Sequence, residues 1–239
     1  MHLTIYTYGY GKLVFNTLNS LAMIRNTEFY TMTVSTVSLV VVSVMFFLSG
    51  VNLRYFIIIG AAGLLAMPII WSSMHTYQKN RVLTFLHPEN DPLGTGYNII
   101  QSKIAIGSGG FWGKGLFSGT QSHLKFLPEY QTDFIFSFLM EELGFIGGIA
   151  LIVLYVTIIM QSTYIAVNCK SRFASLMCLG ITFLFFAHMF INVAMVMGLV
   201  PVVGVPLPLM SYGRTMMASM LIGFGFIMNA AINQNKKVY

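Results

Sequence analysis

Charged residues divide this chain into long silent stretches. Residues 29–53, 55–78, 143–169, 173–213 and 215–235 contain no Asp, Glu, Lys or Arg. Each stretch exceeds the roughly 20 residues a helix needs to cross hydrocarbon. Pro201, Gly204, Pro206 and Pro208 interrupt the second half of the fourth stretch, so it predicts one span followed by an exposed turn. The predicted spans are 32–48, 55–74, 143–166, 173–199 and 209–232. Porin-like strands would be about ten residues long and alternate apolar with polar, and that alternation is absent. The fold class expected is an all-α integral membrane protein with about five transmembrane helices and one long extracytoplasmic loop. The expected division is a divergent segment at 1–30, two spans within 31–76, the loop at 77–133, and three spans with a short tail at 134–239.

Composition agrees: 56% of the 239 residues are hydrophobic and only 8% charged, with mean hydropathy +0.75, against roughly 25% charged in soluble domains. Arg54, Lys170, Arg172, Lys236 and Lys237 fall on one side of a five-span topology, which makes that side and the C-terminus cytoplasmic and turns the loop outward. The net charge of +6 follows from this topology and a slight basic excess in the loop. No contiguous basic stripe exists, so nucleic acid is not an expected partner. Membrane lipids are. Cys169 and Cys178 sit near the expected cytoplasmic ends of spans, where disulfides rarely persist, and are read as packing residues. Gly144 and Gly148 form a Gly-x-x-x-Gly pattern suited to close helix approach, although ordinary packing explains it as well.

The loop holds the candidate chemistry. At 97–106 Ile99, Ile100, Ile104 and Ile106 stand among Asn98, Gln101, Ser102 and Lys103, a pattern compatible with a short amphipathic helix lying in the membrane interface. Gly107, Gly109, Gly110, Gly113, Gly115 and Gly119 follow. That density permits either an anion-binding run of backbone N–H groups or a plain tight turn. A Walker loop fails, because Ser108 and Gly115 stand where it needs Gly and Ser or Thr. Lys103, Lys114 and Lys125 suit phosphate, or equally the attraction of lipid headgroups.

Asp133 directly precedes the apolar stretch 134–140, where water gives way to lipid. A carboxylate there is placed to act as a general base or as a plain helix N-cap. Glu141 and Glu142 lie about 12–13 Å further along a continuous helix. They would line a polar cavity, bind a cation, or mark the outer interface.

Several runs of residues resemble the SEDS (RodA/FtsW) family: IIQSKIAIGSGG at 99–110, GKG at 113–115, GTQS at 119–122, FLPE at 126–129, TDFIF at 132–136 and PVVGVPLPLMSYG at 201–213. The likeness runs from about Phe46 to the C-terminus. It implies a bacterial peptidoglycan glycosyltransferase of the cytoplasmic membrane that polymerises lipid II during elongation and cell-shape control, beside a class B penicillin-binding protein. The Asp of TDFIF, Asp133, would be catalytic, and Lys103, Lys114, Gln121, Ser122, Lys125 and Glu129 would contact substrate. The Lys groups or a divalent cation would hold the departing pyrophosphate. Family members have about ten spans, so a separately encoded N-terminal half is an expected partner. The alternatives are a lipid II flippase or transporter, with the Glu pair lining its path, and a noncatalytic scaffold of the cell-wall synthesis complex. Arg214 departs from the small residue usual in the family after Gly213. It is expected to snorkel outward or to pair with Glu141 or Glu142.

Overall fold

The computed structural model describes residues 39–47, 49–73, 79, 83–87, 95–116, 118–119 and 132–234. The peculiar segment 1–30 and most of the first predicted span lie outside them; of that span, 39–47 is helical. The described residues form helices joined by turns and extended links, with no strand among them. The principal helices are α1 (Leu53–Ser73), α2 (Thr95–Gly109), α3 (Ile135–Asn168), α4 (Arg172–Val196) and α5 (Arg214–Ile232). Among the described residues, α3, α4 and α5 are long and apolar enough to cross a membrane, while α1 is apolar over Leu53–Pro68 and keeps Pro68 within it. The chain is an all-α membrane protein.

Helices in lipid gain little from burying apolar surface against one another, so packing and hydrogen bonds hold them together. Here α3 packs against α4, and both pack against α5 and α2. Phe134, Phe136, Tyr155, Phe185, Met195 and Leu207 lie at the centre. Tyr155 and Phe185 stack with ring centroids 5.3 Å apart, and the Tyr155 hydroxyl donates to the carbonyl of Pro208. Cys178, Ala166, Ile227 and Ala230 make a second cluster at the opposite end of α4. Both cysteines are free thiols, in keeping with a packing role.

Helix α2 forms where the periodicity predicts it, but it turns a different face inward. Ile99, Ser102, Ala105 and Gly109 are buried, while Ile104 is exposed. The small residues let α2 lie against α3: a Cβ on Gly109 would overlap the Met140 carbonyl. The helix therefore packs on protein along a small-residue face, and its isoleucines are divided between that face and the surroundings. The Ser102 hydroxyl donates to the Val196 carbonyl at 2.7 Å, giving one of the last carbonyls of α4 a side-chain partner. Helix α4 ends in a Schellman turn, with Gly198 at φ 71°, its N–H on Met195 O and the Leu199 N–H on Ala194 O.

Beyond that turn the sequence predicts exposure, and the structure shows the reverse. Residues 199–213 fold back among the helices, with Gly204, Val205, Leu207 and Pro208 buried. Four spaced Pro and Gly residues do break the helix, yet the apolar residues between them draw the segment into the protein. The final helix consequently starts at Arg214, five residues later than predicted.

The Gly144–Gly148 pattern also has a different use. Gly144 has φ 67° and ψ −164° inside α3, a break in the helix, while a Cβ on Gly148 would meet the Met140 side chain of its own helix. An unbroken helix would send the N–H groups of Phe145 and Ile146 to the carbonyls of Glu141 and Glu142. Instead those carbonyls accept from Lys114 N–H and Gly115 N–H, both at 3.0 Å, and Phe145 and Ile146 donate to Gly110 O and Phe111 O at 3.0 and 3.3 Å. Four bonds to the glycine loop replace two within the helix. The two carbonyls and two N–H groups that the break leaves without helical partners are thereby paired, as burial requires.

Candidate active site

Asp133 lies in a turn at 132–134, one residue ahead of the α3 cap. Phe134 holds the N-cap position of α3, with no side-chain capping bond of its own, and Asp133 directly precedes it. Its main chain is fixed from two other parts of the sequence. Asn192 of α4, fully buried, donates from Nδ2 to Asp133 O at 2.8 Å and to Val205 O at 2.6 Å. Ser211 donates to Thr132 O at 2.5 Å and accepts the Leu207 N–H at 2.7 Å. Leu209, inside the chain loop that Ser211 closes, takes φ 62°, an unusual region for a branched side chain. Two separated motif segments, 132–136 and 201–213, therefore meet at a single point.

They meet on a cavity of about 470 Å³. Thr132, Asp133, His188 and Tyr212 line it, and its walls continue between α4 and α5 as the apolar side chains of Ile181, Leu184 and Met220. The cavity has a polar end with a carboxylate and an apolar channel leading away. Such a shape suits an amphiphile whose reacting group sits at the protein–water boundary.

Lys114 Nζ lies 2.8 Å from Glu141 Oε1. The Glu141 side chain is wholly buried and that of Lys114 is 27% exposed. The pair sits beside the Gly144 break, so it fastens by side chain what the four backbone bonds fasten by main chain. The pairing expected of Arg214 with Glu141 or Glu142 falls on a side chain outside the described residues. Glu142 is buried as well, and neither glutamate lines the Asp133 cavity. The glycine loop uses the N–H groups of Gly113, Lys114 and Gly115 on protein carbonyls, which removes them from any anion-binding run. Lys103 is exposed on α2, its aliphatic stem lying over Gly198. Gln121, Ser122, Lys125 and Glu129 lie outside the described residues. No group of three metal-ligating side chains gathers among the described residues.

Asn192, Ser211 and His188 escaped the sequence reading. Scanning spans for formal charge passes over neutral polar side chains. An Asn amid the apolar positions of a predicted span was the available signal, since an amide buried in a bundle needs partners.

Two outcomes test this architecture. Asn192→Leu removes both donated bonds and leaves the Asp133 and Val205 carbonyls short of a partner, so a loss of about 2 kcal/mol is expected in denaturant unfolding from detergent. Lys114→Met strips a buried carboxylate of its countercharge and is expected to cost about 3 kcal/mol or more, most of it recovered when Glu141→Leu is added. A double-mutant cycle with independent effects would refute the coupling.

Comparison with known proteins gives a consistent picture. The FTSW_RODA_SPOVE family model, described as "Cell cycle protein", matches residues 12–236, so the likeness begins well ahead of the motif-bearing part that starts near Phe46. The peptidoglycan glycosyltransferase MrdB of Escherichia coli K12 is 50% identical over 187 residues, 77% of this chain and 50% of that protein. Stage V sporulation protein E of Bacillus subtilis is 39% identical over 190 residues, 79% of this chain and 51% of the relative. A solved chain from "Structural coordination of polymerization and crosslinking by a peptidoglycan synthase complex" matches with TM-score 0.69 and 28% identity, over 84% of this chain and 56% of that one. The chain spans about half the length of these relatives.

Proposed function

The chain belongs to the FtsW/RodA/SpoVE family, and from that premise we propose that it carries the polymerising site of a peptidoglycan glycosyltransferase acting on lipid II. It is a multi-pass protein of the bacterial inner membrane, with the loop and Asp133 on the outer side in this proposal. The observation that carries the reading is the position of Asp133, held by its main chain at the polar end of a cavity whose apolar walls run between two spans. Joining two sugars requires an acceptor hydroxyl to attack the anomeric carbon while the bond from that carbon to the lipid diphosphate breaks. Positive charge builds on the ring as in glycoside hydrolysis. Asp133 takes the hydroxyl proton as general base, a contribution of about 10²–10⁴ in rate.

Rigid backbone anchoring favours that role, because a base must sit within hydrogen-bond reach of the proton it removes. Lys103, exposed on α2 with its side chain over Gly198 just past the end of α4, remains a substrate-contact candidate. Gln121, Ser122, Lys125 and Glu129 remain substrate-contact candidates on the connecting loop. Lys114 acts through Glu141 as a positioning residue. The transport alternative relied on glutamates lining a path, and neither is among the residues lining the Asp133 cavity, which weakens it. A class B penicillin-binding protein and a separately encoded N-terminal half are the proposed partners. The solved neighbour, described as a peptidoglycan synthase complex, supports the first.

The test is polymer formation from purified lipid II, with and without a co-expressed N-terminal half, run beside a lipid-flipping assay. Polymer that disappears with the Asp133 carboxylate is expected. Absence of polymer in both preparations overturns the reading, and flipping in its place restores the transport alternative.

A further inference from the structure

The glycine loop turns two large aromatic side chains outward. Phe111 is 57% exposed and Trp112 79%. They stand between Gly110 at φ 56° and Gly113 at φ 80°, and their turn is tied down on both sides: the Gly113 N–H donates to Gly109 O, and the Phe111 carbonyl accepts from the Ile146 N–H of α3. The pair is therefore a fixed projection that has little freedom left to lose on contact. Contiguous exposed apolar surface of this kind marks contact with a partner or a membrane.

The neighbours of the pair indicate which. The Phe111 ring lies 5.9 Å from that of Phe145 and meets Trp112 edge to face at 5.6 Å. Phe145 heads a stripe of exposed side chains, Ile149, Val153, Val156 and Met160, along one face of α3. The small residues Gly148, Ser162 and Ala166 are buried instead. Helix interfaces within membranes are enriched in small residues, so the stripe of large side chains is a face suited to lipid. Charge stops at the same level, since Glu141 and Glu142 precede the Gly144 break and residues 143–169 contain no Asp, Glu, Lys or Arg. From Phe145 to Asn168 is roughly 35 Å at 1.5 Å per residue, against a hydrocarbon core about 30 Å thick. Phe145 thus marks the edge of the hydrocarbon, and the aromatic pair packed on it falls in the headgroup layer.

We propose that Phe111 and Trp112 form an interfacial anchor seated in phospholipid at the Asp133 end of α3, with Phe111 extending the lipid-facing stripe and the Trp112 indole N–H among the headgroups. Trp suits that layer because its body is apolar and its one donor is polar. The lipid surface is the occupant, by continuity with the stripe below. The inference stands apart from the glycosyltransferase reading.

The test uses the depth of the indole. Trp71 and Trp112 are the two tryptophans of the chain, so Trp71→Phe leaves Trp112 as the sole reporter. The whole chain is placed in phosphatidylglycerol vesicles containing phosphatidylcholine brominated either near the headgroup or near the bilayer centre. Quenching of Trp112 is expected to be at least about twofold stronger from the shallow bromines, as fits a ring sunk about 5–10 Å into the headgroup boundary, and iodide in the water should quench it little. The difference between wild type and Trp112→Phe gives the same signal with Trp71 in place, so the test survives a misfolded Trp71→Phe. Strong iodide quenching without bromine quenching places the pair in water and overturns the inference, as does equal quenching from both depths. Shallow quenching that vanishes when a co-expressed N-terminal half is bound makes the surface a protein interface and overturns it too. Polymer formation from lipid II is measured separately, so none of these results decides the glycosyltransferase reading.

Discussion

Asp133→Asn is expected to lower polymer formation from lipid II by at least about 10²-fold while leaving the unfolding transition unchanged. The first expectation follows from losing a general base, typically about 10²–10⁴ in rate. The second follows from how the residue is held. The bond from Asn192 reaches the main-chain carbonyl of Asp133, which an amide of the same size keeps in place. Asp133→Glu keeps the carboxylate but moves it by about one bond length, and misplacement of that order costs up to about 10²-fold. It should fall between wild type and Asn. Wild-type rates in Asp133→Asn would remove Asp133 from the chemistry altogether.

Gly144→Val should have the largest effect on folding. The residue sits at φ 67°, a region where a β-branched side chain is a strong outlier. Any Cβ there would press on Gly113 N, Phe111 O and Trp112 C at 2.3–2.7 Å, all main-chain atoms that cannot swing aside. Relief would mean withdrawing the glycine loop and losing four backbone bonds together with the Lys114–Glu141 pair. A loss of more than about 4 kcal/mol is expected, in the range reserved for such specific mechanisms. Gly144→Ala meets the same obstruction and should lose nearly as much. Measured by thermal unfolding in detergent, a change below about 1 kcal/mol for Val would show that the loop does not depend on the break.

The spans were legible because charge is excluded from hydrocarbon, a condition every residue of 143–169 or 173–196 meets individually. Asp133 was legible for a related reason, as an ionisable group at the edge of such a run. The 199–213 segment was not. Its prolines show where the helix stops but carry no information about whether the chain then leaves the bundle or turns back into it, which depends on Thr132, Tyr155 and Asn192 supplying partners from far away. The Gly144 break was hidden for the same reason. A Gly-x-x-x-Gly spacing looks identical whether another helix or a loop approaches it, and only the partner distinguishes the two. Lys114 shows the limit for charged residues: its type suits phosphate, but nothing in it announces the glutamate 27 positions away that it also meets.

Because Glu141 and Glu142 hand their carbonyls to the loop, residues 135–143 have exchanged their attachment to the lower helix for attachment to the segment that follows α2. Mechanically, the loop is a splint across the break, with two bonds to each piece of α3. A push or pull on residues 110–115, which carry the exposed Phe111 and Trp112, would act through this exchanged ladder on both pieces at once, including the one that begins beside Asp133.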